Sequence, residues 1–305
     1  RRQRQMCIRD SPWTFRVGSV VLTGNRAEYG LLNHRPAAGF DPSFIVLSTL
    51  DLAVDSIYNR GADIALQIRR MAFTERSGLT VSDMTGDIGM DASGISLAGV
   101  TLKTPFSRIE ANISAGEGIL ALAPDSPLKA ALTADVNTKD LKYLYPALIP
   151  PVLDGRIVSL ALTAAGTLGD IGKAGLDISS PGHVAFTADG AARNVLDPGR
   201  MEASARFEGD FRDMAFLEAL LPDSALRRRI AIPDRIRLHG TAGADKGAFS
   251  AASTLSADGG EIALQGRLDT RSEAYGIELR CDSFPLNLSL IHISEPTRRT
   301  PISYA

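Results

Sequence analysis

"LDLAVDSIYNRGADIALQIRR" (residues 50–70) decides how the fold is read. Leu50, Leu52 and Val54 alternate with Asp51, Ala53 and Asp55. After the turn-forming "NRGAD" (59–63), Ile64, Leu66 and Ile68 alternate with Asp63, Ala65, Gln67 and Arg69. A period of two is the mark of a strand with one apolar and one polar face. Two such runs joined by a short Gly-containing turn are antiparallel neighbours.

Working outward, the same period returns along the chain. It appears in "RIEANIS" (Ile109, Ile113), "IVSLALTA" (Val158, Leu160, Leu162) and "GHVAFTA" (Val184, Phe186). It closes with "EIALQGRLD" (Ile262, Leu264) and "YGIELRCD" (Ile277, Leu279). "DASG" (91–94), "LDPG" (196–199) and "ADGG" (257–260) supply turns between runs. At ordinary strand length there is room for about 20 strands, and an open sheet of more than about ten must curl, split or wind.

Two segments depart from this period. "NTKDLKYLYPAL" (137–148) predicts a short helix capped by Asn137, its length limited by Pro146. "DFRDMAFLEALLPDSALRRR" (210–229) predicts a second, capped by Asp210, with Met214, Leu217, Leu220 and Leu221 on one face and Pro222 stopping or kinking it. Arg227, Arg228 and Arg229 read as a solvated helix end. Each predicted helix leads a similar run. "YLYPALIP" precedes "GRIVSLALTAAG", and "AFLEALLP" precedes "DRIRLHGTAG", about 75 to 80 residues later. The division expected is a first β-segment over 12–136 and helix-led repeats over 137–209 and 210–287.

The two ends read differently. "RRQRQMCIRDS" (1–11) and "LSLIHISEPTRRTPISYA" (288–305) match in-frame translations of paired transposon-type sequencing adapters, so Pro12–Asn287 is taken as the biological part and as an internal fragment. Setting aside six arginines, Asp10 and Glu295 leaves 27 basic and 33 acidic residues, a net charge of −6. The apparent basic arm disappears, and with it the case for nucleic acid. Cys281 is then the single cysteine, which forms no intrachain disulfide. No run of 18 apolar residues is present to span a membrane as a helix.

Motifs for catalysis are missing. "GISLAG" (94–99) has Ala98 where a nucleophile elbow needs glycine. There is no P-loop, no dinucleotide fingerprint and no H-E-x-x-H. Asp51, Asp55 and Asp63 fall on a polar strand face, and His34, His183 and His239 are far apart in sequence. No catalytic, cofactor-binding or metal-binding residue is expected, and no cofactor.

The stretches 40–88 ("FDPSFIVLSTLDLAVDSIYNRGADIALQIRRMAFTERSGLTVSDMTGDI") and 94–114 ("GISLAGVTLKTPFSRIEANIS") resemble the periplasmic part of TamB and AsmA-like proteins. The features that carry this are the strand pair opened above, the "ERSGL" turn (75–79) and the "LKTPFSRI" strand (102–109); "GTLGDI" (166–171) is similar to the turn between family repeats. The resemblance implies a long groove (a β-taco) anchored to the inner membrane by an N-terminal helix and crossing the periplasm. It implies phospholipid acyl chains as cargo, an outer-membrane assembly protein of the BamA/TamA type as partner, and roles in lipid movement or outer-membrane protein assembly.

The fold expected is therefore mainly β: a long curled antiparallel sheet forming an open groove, built from repeats, with two short helices. The alternatives are a structural or adhesive surface β-solenoid and, behind it, a β-helical polysaccharide-active enzyme. The groove lining expected is Leu50, Leu52, Val54, Ile64, Leu66, Ile68, Ile109, Ile113, Val158, Leu160, Leu162, Val184, Phe186, Ile262, Leu264, Ile277 and Leu279.

Overall fold

The structure, a computed structural model, describes residues 13–32, 34–37, 39–91, 94–116, 123–145, 154–213, 233–257 and 259–282. Both adapter-like ends lie outside the described residues. So do the turn residues 92–93, the last part of the first predicted helix and 214–232, most of the second.

Among the described residues, fifteen strands form one antiparallel sheet in which spatial order equals chain order. They are β1 (Thr14–Gly30), β2 (Phe44–Arg60), β3 (Asp63–Glu75), β4 (Thr80–Asp91), β5 (Gly94–Lys103), β6 (Arg108–Gly116), β7 (Pro127–Asn137), β8 (Ile157–Thr167), β9 (Ile171–Ser180), β10 (Val184–Arg193), β11 (Glu202–Arg212), β12 (Arg235–Asp245), β13 (Ala248–Ala257), β14 (Gly260–Asp269) and β15 (Ala274–Asp282). One helix, α1 (Thr138–Leu144), is inserted between β7 and β8. Strands make up 74% of the described residues, and the sheet stays open rather than closing into a barrel. This is the mainly-β, open, antiparallel fold that the period-two runs predict.

The described strands are longer than expected, nine to seventeen residues each. The reason is visible in β2. Thr49 and Ser56 interrupt its alternation, yet both are absorbed as left-handed bulge residues (φ 50° and 54°) instead of ending the strand. A second correction concerns "LKTPFSRI", which is not one strand. β5 ends at Lys103, and β6 begins at Arg108. Pro105 has no N–H for a ladder, and the Thr104 hydroxyl accepts from the N–H groups of Phe106 (3.3 Å) and Ser107 (2.8 Å), closing a tight turn. A third concerns Asp210, which caps no helix. It lies in β11, where Arg235 on β12 and Arg212 both grip its carboxylate (2.9 and 3.0 Å). Two bidentate guanidiniums outcompete a cap. They hold its carboxyl well below the ordinary range, Arg235 foremost.

The predicted cap of the first helix is present. Asn137 Oδ1 accepts from Lys139 N (3.0 Å). α1 runs along one rim of the sheet, back across the strand ends. Asp140, only 5% exposed, accepts from Thr104 and Ser107 in the β5–β6 turn. The Tyr143 ring lies against Gly78 in the β3–β4 turn, and the Leu144 carbonyl accepts from Phe40 N (3.4 Å) before β2. α1 leads the four strands β8–β11, and four further strands, β12–β15, follow in the chain.

On the opposite rim, successive turns bond to each other. Gly169 N donates to Pro124 O (2.6 Å), Val195 N to Gly169 O (2.9 Å), Lys246 N to Met201 O (2.8 Å) and Thr270 N to Gly247 O (3.0 Å). "GTLGDI" sits in this chain of turns. A Cβ on Gly169 would come within 2.8 Å of the Pro124 carbonyl oxygen, so only glycine lets the two turns meet. Gly169→Ala is expected to destabilise the chain by about 1–3 kcal/mol, as backbone must move to relieve the overlap. Urea denaturation followed by far-ultraviolet circular dichroism measures this as a lowered midpoint at unchanged slope.

Candidate functional site: an uncovered apolar sheet face

In an antiparallel ladder, residues directly opposite one another point to the same side. The register therefore identifies each face. Ile109 faces Ala134, and Ile113 faces Ala130. Ala134 faces Leu160, Leu132 faces Leu162, and Val136 faces Val158. Leu160 faces Ile178, which faces Phe186. The line passes through Phe207, Gly209 and Phe211 on β11 to Leu238 and Leu255, then to Ile262, and Leu264 faces Leu279. In the other direction Ile113 faces Leu97, which faces Ile88, which faces Leu66. Ile68 faces Val54, and Met71 faces Leu52. The seventeen side chains named from the sequence all lie on this one face, and Leu176, Ala188, Phe207, Leu238 and Leu255 join them.

The other face is polar. Ser159, Thr163, Asp177, Thr187, Glu208, Arg237, His239, Gln265 and Glu278 lie on it. Asp55 pairs there with Arg69 (2.8 Å), and Asp51 accepts from Gly24 N (2.9 Å), so these carboxylates are engaged separately and do not form a catalytic pair. Among the described residues no cluster of His, Cys, Asp and Glu could hold a metal ion. A hollow of about 560 Å³ on this face, between Tyr58 and Lys129, is floored by Ala65, Gly89, Ser96 and Ser114. Cys281 is exposed.

The apolar face is covered unevenly. Leu50, Val54, Ile68, Val81 and Ala134, on β2, β3, β4 and β7, are buried; on the later strands only Ala257 is. Leu162 (40% exposed), Leu264 (36%) and Leu268 (45%) meet solvent, and on β15 so do Tyr275, Ile277 and Leu279. Backbone regularity explains the contrast, and no run of residue types announces it. Each pair from β1–β2 to β5–β6 contains a register shift. Of the pairs after β6, only β8–β9 and β9–β10 do, near strand ends. Bulges bend and twist a strand, so the early strands curl their apolar side chains onto one another. The later strands run more regularly; Val158, Leu160, Val184 and Phe186 are half-buried there, and the exposed members of the face appear among them.

The loop before β2 is tied down at the rim. Asp41, 5% exposed, accepts from Ala37 N (2.8 Å) and Ser43 N (2.9 Å) and pairs with His34 Nε2 (2.7 Å). Arg76 from the β3–β4 turn donates to the carbonyls of Ala37 (2.9 Å) and Gly39 (3.1 Å). In sequence His34 stands far from the other histidines; its carboxylate partner lies seven residues on.

No protein-family model, no curated protein and no solved structure matches the chain.

The Ala37 N–H, then His34, hold the Asp41 carboxyl at about 2, below its ordinary 3.8. A carboxyl depressed in the folded state stabilises the loop above its unfolded pKa, and that contribution is lost as pH falls through the folded value. Backbone amides of residues 34–43 are expected to lose protection from hydrogen exchange between about pH 4 and pH 2. Asp41→Asn should flatten that dependence in the loop while leaving β12–β14 unchanged.

Proposed function

We propose that the chain is a non-enzymatic β-groove segment of a TamB/AsmA-like periplasmic protein, one whose apolar sheet face carries phospholipid acyl chains between the inner and outer membranes. In this reading it belongs to a protein held at the inner membrane by an N-terminal helix and meeting an outer-membrane assembly partner of the BamA/TamA type. One observation carries the reading: an apolar face continuous from β2 to β15 that no second layer of described strands covers. A sheet that exposes Leu162, Leu264 and Leu268 forgoes burial that a sandwich would gain. An apolar cargo restores it.

The magnitudes suit a conduit. A methylene leaving water gains roughly 0.8 kcal/mol when fully buried. Ten methylenes lying on an open face, covered on one side, gain on the order of 4 kcal/mol. That is enough to hold a chain near the surface and too little to trap it. Passage along the face needs no bond making, only uninterrupted apolar area. A surface fibre, the principal rival, would seal its apolar side chains inside, and the exposed leucines favour the carrier.

A photo-crosslinking residue at Leu162 tests this with the purified chain and vesicles of phosphatidylethanolamine and phosphatidylglycerol. Its neighbour Thr163 points to the other face. Lipid adducts at position 162 and none at 163 are expected. Equal labelling at both positions, or none at 162, defeats the proposal.

A further inference from the structure

We propose that α1 is a rim strap that holds β2–β7 curled: their apolar side chains close on one another, and acyl chains lie only on the half of the face that begins at β8. The inference rests on the carrier reading above and adds where on the face the cargo sits and what keeps it out of the rest.

Three observations converge on the boundary. The first is burial. Leu50, Val54, Ile68, Val81 and Ala134 are buried, and Ile109 and Ile113 on β6 are half-buried, whereas the exposed side chains of the lining begin at Leu162 on β8. The second is backbone geometry. Register shifts run through every pair up to β5–β6, and the ladder is then regular except near the strand ends of β8–β9 and β9–β10. The third is α1 itself, which leaves the sheet at the end of β7 and turns back along the rim, against the β5–β6 and β3–β4 turns, instead of forward past the later strands.

The strap is fixed by more than proximity. Asp140 takes the hydroxyls of Thr104 and Ser107, and Ser107 Oγ in turn accepts from Asn137 N (2.9 Å). Thr138 Oγ1 accepts from Arg156 N (3.1 Å), tying the far side of the insertion to the start of β8. Asp140, Ser107, Asn137 and Thr138 are each at most 9% exposed. A buried polar cluster whose members satisfy one another is costly to break one member at a time. Lys139 lies over the Phe106 ring (5.0 Å), and Lys142 pairs with Asp154 (2.9 Å), so both flanks of α1 are also held. A Cβ on Gly78 would come within 3.0 Å of the Tyr143 ring, so the ring fits closely against the β3–β4 turn. With this end held down, the early strands cannot uncurl, and their aliphatic side chains remain one another's partners.

The test places a photo-crosslinking residue at Leu66 on β3 or at Leu264 on β14, in the purified chain with the same phospholipid vesicles. Roughly tenfold more lipid adduct is expected at 264 than at 66. Asp140→Ala, which empties the buried cluster, is expected to raise labelling at 66 several-fold and leave 264 unchanged. Tyr143→Ala loosens the strap without touching the cluster and is expected to act in the same direction, so the test survives if Asp140→Ala fails to fold. Equal labelling at 66 and 264 in the unaltered chain overturns the division while the carrier reading stands. A folded Tyr143→Ala chain with no gain at 66 overturns the strap. No adduct at either position overturns the carrier reading and this inference with it.

Discussion

Hydrogen-bonded pairing between sequential strands is the interaction on which everything else in this chain depends. Each strand pairs with the one before and the one after, and nothing among the described residues forms a second layer. Opposed residues share a face, so a strand's apolar side is passed to its neighbour by register alone. A slip of one residue in any pair would send the next strand's leucines to the polar side. Continuity of the apolar face therefore depends on fourteen pairings, each of which keeps that alignment.

Where the ladder is irregular, the irregularity preserves this parity. Thr49 and Ser56 bracket Leu50, Leu52 and Val54, which keep their common side. The Leu97/Val100 shift on β5 leaves Leu97 opposite Ile113 and Val100 opposite Ala111, all on the apolar side. Gly99, with φ 59°, accommodates the extra residue at little cost, and its N–H finds Asn112 Oδ1 (2.7 Å). Bulges thus change curvature without changing faces, and one sheet can hold both a closed segment and an open one.

The rims supply the rigidity that a single layer lacks. Turn-to-turn hydrogen bonds extend the ladder beyond the strands on both sides, and buried polar residues sit there, not at the centre: Asp41, Ser126, Asp140. Ser126, wholly buried, receives Ala123 N on its hydroxyl (3.1 Å) and Leu168 N on its carbonyl (2.9 Å). Stability in such an array accumulates from neighbour to neighbour, as in repeat proteins. That accounts for the low demand for aromatic anchors: the ladder, not a globular core, sets the distances.

Alternation in "LDLAVDSIYNRGADIALQIRR" and its later counterparts by itself determined the strand class, the antiparallel order and which side chains share a face, because side-chain direction in a strand is a local property of the backbone. Asn137 as a helix cap was legible for the same reason, as a cap acts within two residues. Asp210 was misread because a local cap and a cross-strand clamp require the same carboxylate, and Arg235 comes from another strand. "LKTPFSRI" was misread because its apolar ends outweighed the turn made by Thr104 and Pro105. Only the tertiary structure decided how far the sheet curls and where its apolar face is covered. Curvature accumulates from bulges spread over five strand pairs, and the docking of α1 joins Asp140 to residues 33 and 36 positions away. Those are long-range effects, and the period of two is silent about them.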